Sequence, residues 1–151
     1  MDAKELAAKA VRVSVGAVVF RGDEVLLIKR GKPPFLGAWS IPGGKVEHDE
    51  RLHDAVAREV REETGVEMAL IGLIDVFETT PSARGDGTDY HMVMVDYAAR
   101  WVAGEPVAAD DASAAEFVAV DVALDRLSWD ETRRALQMAL RLRLNGDARG
   151  A

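Results

Sequence analysis

The sequence predicts an α/β domain in which two helices flank a mixed β-sheet. Three observations predict it. Apolar and β-branched residues crowd into runs at 12–21, 24–29, 67–78 and 90–102; a segment at 50–64 carries its apolar residues at helical spacing; and Leu136, Leu140 and Leu144 recur four apart near the end. With 151 residues, 48% of them hydrophobic, the chain can bury one real core, and a single domain over 12–144 is the natural reading.

In chain order, residues 1–11 form an N-terminal arm or short helix with nothing in it that suggests chemistry. Runs 12–21 and 24–29 are strands, and Gly22-Asp23 between them makes a hairpin turn. GKPPFLGA at 31–38 is a loop, and 39–41 a short strand that feeds a Gly43-Gly44 loop. A helix over 50–64 has Asp49 as candidate N-cap and Gly65 as candidate C′ residue. Runs 67–78 and 90–102 are longer strands joined by the polar loop TTPSARGDGTD, placed to overhang a site. After a loop at 103–115 come a late strand at 116–120, a helical turn at 121–127, and a final helix opened by a Ser128–Glu131 capping box. That helix runs to about 144 with the leucines as its core-facing stripe, and 145–151 is a disordered tail.

Composition narrows the chemistry. A formal net charge of −7 argues against a general nucleic-acid surface, which needs a basic footprint. The absence of cysteine excludes disulfides, thiolate metal sites and a Cys nucleophile, leaving oxygen or His as ligands. No apolar run reaches the length of a membrane span, and the N-terminus lacks a signal-peptide pattern, so the expectation is a cytoplasmic protein with no membrane partner.

Residues 43–66, GGKVEHDERLHDAVAREVREETGV, carry most of the functional information. At about 100° per residue, Glu59, Glu62 and Glu63 share an arc of about 100° on the last turn and a half of the helix. Leu52, Ala55, Val56 and Val60 line nearly the same side, which sets the carboxylates at the edge of the core. Like charges three and four apart repel, and anions near a helix C-terminus oppose its dipole, so the arrangement calls for a cation. Hard oxygen ligands suit Mg²⁺, or Mn²⁺ in its place. A solvated helix laced by Arg58–Glu62 and Glu59–Arg61 pairs would explain the charges alone. It would not explain the spacing of the whole loop and helix.

Counting from Gly44, five residues precede Glu50 and seven more precede Arg58-Glu59-Val60; Arg61, Glu62-Glu63, Thr64 and Gly65-Val66 follow. This resembles the complete Nudix box, with Asp49 standing where Gly is frequent. RVSVGAVVF, LLIKRGKPPFLGAWSIPGGKVE and HMVMVDYAARWVAGEP also look like the ADP-ribose pyrophosphatase-like branch of that family. The resemblance implies an α/β/α sandwich with a mixed β-sheet, and a Mg²⁺-dependent pyrophosphohydrolase whose partner is a small-molecule nucleotide, acting as a monomer or homodimer. It implies Glu59 and Glu63 as metal ligands, Glu62 as a third ligand or the base, and the Gly44 carbonyl as a main-chain ligand. Arg58 would orient the glutamates, and Glu50 would bind a second ion or pair with Arg58. Arg30, Trp39, Gly43 and Gly44 are the candidate substrate contacts. A loop acid often supplies the base, and Asp111 is the candidate, beside Asp110 and in front of Glu116.

Phe35, Trp39, Phe77 and Tyr90 could stack a base, although each also reads as core. His91 reads as packing, and His48 and His53 as solvent-facing. The competing activities are hydrolysis of nucleoside triphosphates by a pool sanitiser and ligand sensing by a degenerate domain. Sensors of this type lose box glutamates, whereas all four stand here. An isopentenyl diphosphate isomerase would need a cysteine in the site.

Overall fold

The computed structural model describes residues 1–84 and 91–150. In order, the elements are α1 (Ala3–Lys9), β1 (Val11–Arg21), β2 (Glu24–Arg30), β3 (Trp39–Ser40), β4 (Gly43–Lys45), α2 (Leu52–Thr64), β5 (Glu67–Thr79), α3 (Pro81–Arg84), β6 (His91–Ala103), β7 (Ala112–Ala119), α4 (Val120–Arg126) and α5 (Asp130–Gly150). The seven strands form one mixed sheet of order β3-β2-β1-β6-β5, with β4 also on β1 and β7 on β2. Only the β1–β6 pair is parallel among these strands. Tyr90 lies outside the described residues.

The Gly22-Asp23 hairpin is present, but its strands pair only next to the turn, at Phe20↔Val25 and Arg21↔Glu24. Beyond that they splay, and residues 39–45 fill the opening. β3 pairs with the β2 side at Ile28↔Ser40 and Lys29↔Trp39, and β4 pairs with the β1 side at Val15↔Gly44 and Gly16↔Gly43. The expected Gly43-Gly44 loop is therefore a strand segment, because β1 offers it free backbone partners. Gly43 has no room for a side chain: a Cβ there would overlap the Val15 carbonyl oxygen and lie 2.8 Å from Gly16 Cα. Gly43→Ala is expected to lower stability by about 2–3 kcal/mol through overpacking. An unchanged urea midpoint would contradict this placement of β4.

Alternation along β1 divides the core into two layers. Val15, Ala17 and Val19 pack with Ala55, Val56 and Val60 of α2, while Val18 and Phe20 pack with Ala123, Leu127, Leu136 and Ala139 on the α4–α5 side. An α/β/α sandwich results, as the sequence led us to expect.

The last helix differs from expectation in three details. Ser128 does not cap it: its Oγ accepts from Trp39 N–H at 3.1 Å and its N–H donates to Trp39 O at 3.1 Å, so it is spent fastening β3. Leu136 is buried and Leu140 packs against the core, but Leu144 is 67% exposed. The helix also continues through Asn145 to Gly150.

Candidate active site

Helix α2 begins later than its sequence suggested. Asp49 is not its N-cap but sits in the left-handed region at φ 62, and the cap position falls on Arg51, with no side-chain hydrogen bond. Glu50 lies before the helix rather than on it. Its carboxylate is taken by Arg58 Nε and Nη2 at 2.7 and 2.9 Å and by Glu47 N–H at 3.1 Å, which folds residues 47–50 into a turn. At the other end Gly65 adopts φ 73, as a C-terminal glycine should, and its N–H donates to Arg61 O.

Arg58 organises the acidic face. Besides Glu50, it donates to Glu59 at 2.9 Å, to Glu62 at 3.1 Å and to the Lys45 carbonyl at 3.0 Å. The two bonds from Arg58 and that from the Glu47 backbone hold Glu50 down at about 2. Glu59 and Glu63 are shifted the other way. Burial raises Glu59, with the charges of Glu62 and Asp110 adding to it against Arg58. Glu63 is 6% exposed and is pushed up to about 7 by burial and by the charges of Glu59 and Asp111. Its carboxylate accepts from Gly43 N–H at 2.7 Å, which links it to the β4 strand in the sheet opening.

The loop acids reach this place through backbone contacts. Helix α2 ends with unpaired carbonyls, and residues 107 and 109 supply the donors: Val107 N–H to Thr64 O at 2.9 Å and Ala109 N–H to Glu63 O at 3.0 Å. The next turn puts Asp110 at φ 57, and Gly31 N–H donates to Asp111 O at 2.7 Å. Asp110 and Asp111 thus stand close enough to bias Glu59 and Glu63, while Lys32 holds the Asp111 carboxylate at 2.9 Å. Arg30 donates to Pro34 O at 2.9 Å, and its charge lowers Glu63. Glu116, by contrast, is ion-paired with Arg126.

The aromatic candidates separate. Phe77 is buried, whereas Trp39 lies between the Arg126 guanidinium, 4.7 Å from its ring, and Lys29 at 6.0 Å. Phe35 is 45% exposed and meets Trp129 edge to face at 5.4 Å. His48 is exposed, His53 meets the Tyr97 ring at 5.2 Å, and His91 pairs with Glu78 at 3.2 Å. Sequence reading did not anticipate the roles of the Lys45 carbonyl, Lys32 or the 107–109 backbone. No residue-type signal marks a backbone donor.

Among the described residues, no three acidic or histidine side chains converge to enclose a cation as they stand. Arg58 accounts for this, drawing Glu50, Glu59 and Glu62 to itself. The donor set nevertheless fits a hard divalent ion. Gly44 lets the Glu59 carboxylate lie directly against the main chain, since a Cβ there would overlap it, and Glu63 carries a buried carboxyl whose ionisation is unfavourable without added positive charge.

Comparison with known proteins agrees with the fold. The NUDIX domain model matches residues 10–139. The chain is 34% identical over 121 residues to an ADP-ribose pyrophosphatase of Methanocaldococcus jannaschii, covering 80% of this chain and 69% of that one. It is 32% identical over 138 residues to the "Putative 8-oxo-dGTP diphosphatase 2" of Mycobacterium tuberculosis, covering 91% and 93%. Among solved structures, a MutT NUDIX hydrolase of Burkholderia pseudomallei superposes with TM-score 0.70 at 34% identity, covering 85% of this chain and 98% of that one. The NUDIX domain of Shewanella oneidensis NrtR, complexed with ADP ribose, superposes with TM-score 0.72 at 25% identity, covering 95% and 99%. The chain belongs to the Nudix family. It is a Nudix hydrolase.

Proposed function

We propose that this protein is a Mg²⁺-dependent pyrophosphohydrolase that cleaves a nucleoside diphosphate linked to another group, ADP-ribose-like conjugates first. The observation that carries the reading is the pair of carboxyls, Glu59 and Glu63, both raised by burial and set against Gly43 and Gly44. Glu59, Glu63 and the Gly44 carbonyl would hold the ion, with Glu62 at the exposed edge. A bound divalent cation neutralises diphosphate oxygens and lowers the pKa of water.

The residues of the chain do the rest. Arg58 keeps Glu50, Glu59 and Glu62 in place, and Arg30 and the glycine backbone accommodate the phosphates. One of the acids at the rim, Glu62, Asp110 or Asp111, takes the proton of the attacking water. With no cysteine and no serine in 43–66, the reading involves no covalent intermediate, and water attacks phosphorus directly.

The conjugate preference is supported by the Methanocaldococcus relative's named activity and by the ADP ribose bound to the Shewanella domain. A second reading, hydrolysis of nucleoside triphosphates, is favoured by the mycobacterial relative, which this chain covers almost end to end. A substrate panel with Mg²⁺ separates them. ADP-ribose should give AMP and ribose phosphate with a higher kcat/KM than any triphosphate. A triphosphate at least tenfold better, giving monophosphate and pyrophosphate, would replace the first reading with the second.

A further inference from the structure

We propose that Asp96 on β6 is a specificity residue that accepts a hydrogen bond from the exocyclic amino group of the substrate's purine base. The inference deepens the nucleotide reading above and rests on it. The parallel register places Asp96 beside Gly16, so its side chain projects to the α4–α5 side of the sheet, the face that also carries Trp39 and Ile41. Its carboxylate lies over the Gly16 backbone: a Cβ at that glycine would be 2.6 Å from Asp96 Oδ1 and 3.2 Å from Ile41 Cδ1.

Asp96 has no hydrogen bond or ion pair in the described structure, and its oxygens are not sealed from solvent. Burial alone pushes its carboxyl up to about 6, with no compensating partner. A largely desolvated acceptor without a protein partner, and not completely sealed, is open to a donor from a ligand.

Its position selects the donor. Gly43, which holds Glu63, pairs with Gly16, and Gly16 pairs with Asp96. Two strand spacings, about 10 Å, therefore separate the backbone of Gly43 from that of Asp96, with Glu63 reaching Gly43 from the α2 side of the sheet and the Asp96 side chain on the other. That spacing is on the order of the distance from a nucleotide's α-phosphate to the far edge of its base. A carboxylate repels phosphate, so the phosphates belong at the Gly43 end and an uncharged N–H group at the Asp96 end. On adenine the exocyclic amino group is the donor at that edge.

The test compares substrates that differ in that amino group alone: AMP with purine riboside 5′-monophosphate by titration calorimetry, and ADP-ribose with its counterpart carrying unsubstituted purine by hydrolysis. The parent should favour the amino form at least about tenfold in Kd and in kcat/KM. Asp96→Leu should reduce that preference to within about twofold by weakening the amino form only, and Asp96→Asn, which keeps an acceptor, should retain most of it. A parent that does not discriminate overturns the proposal whether or not the variants fold, and so does a preference that survives Asp96→Leu. If AMP is favoured in binding while only triphosphates are hydrolysed, the substrate reading fails and the role of Asp96 stands.

Discussion

Glu63→Gln is expected to lower turnover at least about 100-fold while leaving the fold intact. The side chain is almost fully buried, and its Oε1 accepts from Gly43 N–H. Glutamine keeps that acceptor but gives up the negative charge on which a divalent cation depends, a loss of several kcal/mol in the transition state. Activity within threefold of the parent would remove Glu63 from the proposed metal site.

Stability should change in the opposite direction. The carboxyl moves from 4.5 when unfolded to about 7 when folded, so the native chain holds this proton more tightly. Its contribution is complete below about pH 4.5 and is lost as pH rises to about 7. In chelator at pH 8, Glu63→Gln should therefore unfold several degrees above the parent, and at pH 4.5 the two should converge. A variant less stable at pH 8 would contradict the burial argument.

Arg58→Ala is expected to destabilise the fold as much as Gly43→Ala does, by a different route. One guanidinium there serves three carboxylates and a carbonyl, with the side chains of Arg58, Glu50 and Glu59 only 20%, 15% and 15% exposed. Removing it leaves like charges facing one another, at about 2–3 kcal/mol after allowance for the remaining solvent contact. The thermal midpoint in chelator should fall by roughly 5–10 °C. Arg58→Lys should recover little of this, because a single ammonium cannot span the same acceptors. Saturating Mg²⁺ should narrow the deficit; a deficit that Mg²⁺ leaves unchanged would mean that the cation and Arg58 do not share these carboxylates.

The acidic helix was legible in the sequence because side-chain spacing fixes which residues share a helix face. Ala55, Val56 and Val60 are buried as that spacing required, and Glu63 lies at the core edge. The strands were legible for the same reason, and their ends moved by a few residues where pairing partners extended them, as with β7 starting at Ala112 rather than 116. What could not be read depends on partners distant in sequence. Asp49 resembles a cap until Arg58 claims Glu50, Ser128 resembles one until it meets Trp39, and Leu144 continues a stripe of which it alone stays exposed. The approach of Asp110 and Asp111 to the box rests on Val107 and Ala109 backbone donors, which any non-proline residue provides.

The parallel β1–β6 ladder governs how this chain can fold. From Val11↔His91 to Phe20↔Arg100, the central strand receives a neighbour from the second half of the chain. The intervening segment must be ordered before those pairings repay their loop-closure entropy, which raises contact order and slows folding. During synthesis β1, β2 and α2 emerge with long edges of β1 and β2 still unpaired, an aggregation-prone state relieved first when residues 91–103 arrive for β1 and then when 112–119 arrive for β2. Hydrolase and nascent-chain hazard are thus set by the same strand, since β1 both seats the glycines beneath the glutamates and must wait for a parallel partner from the second half of the chain.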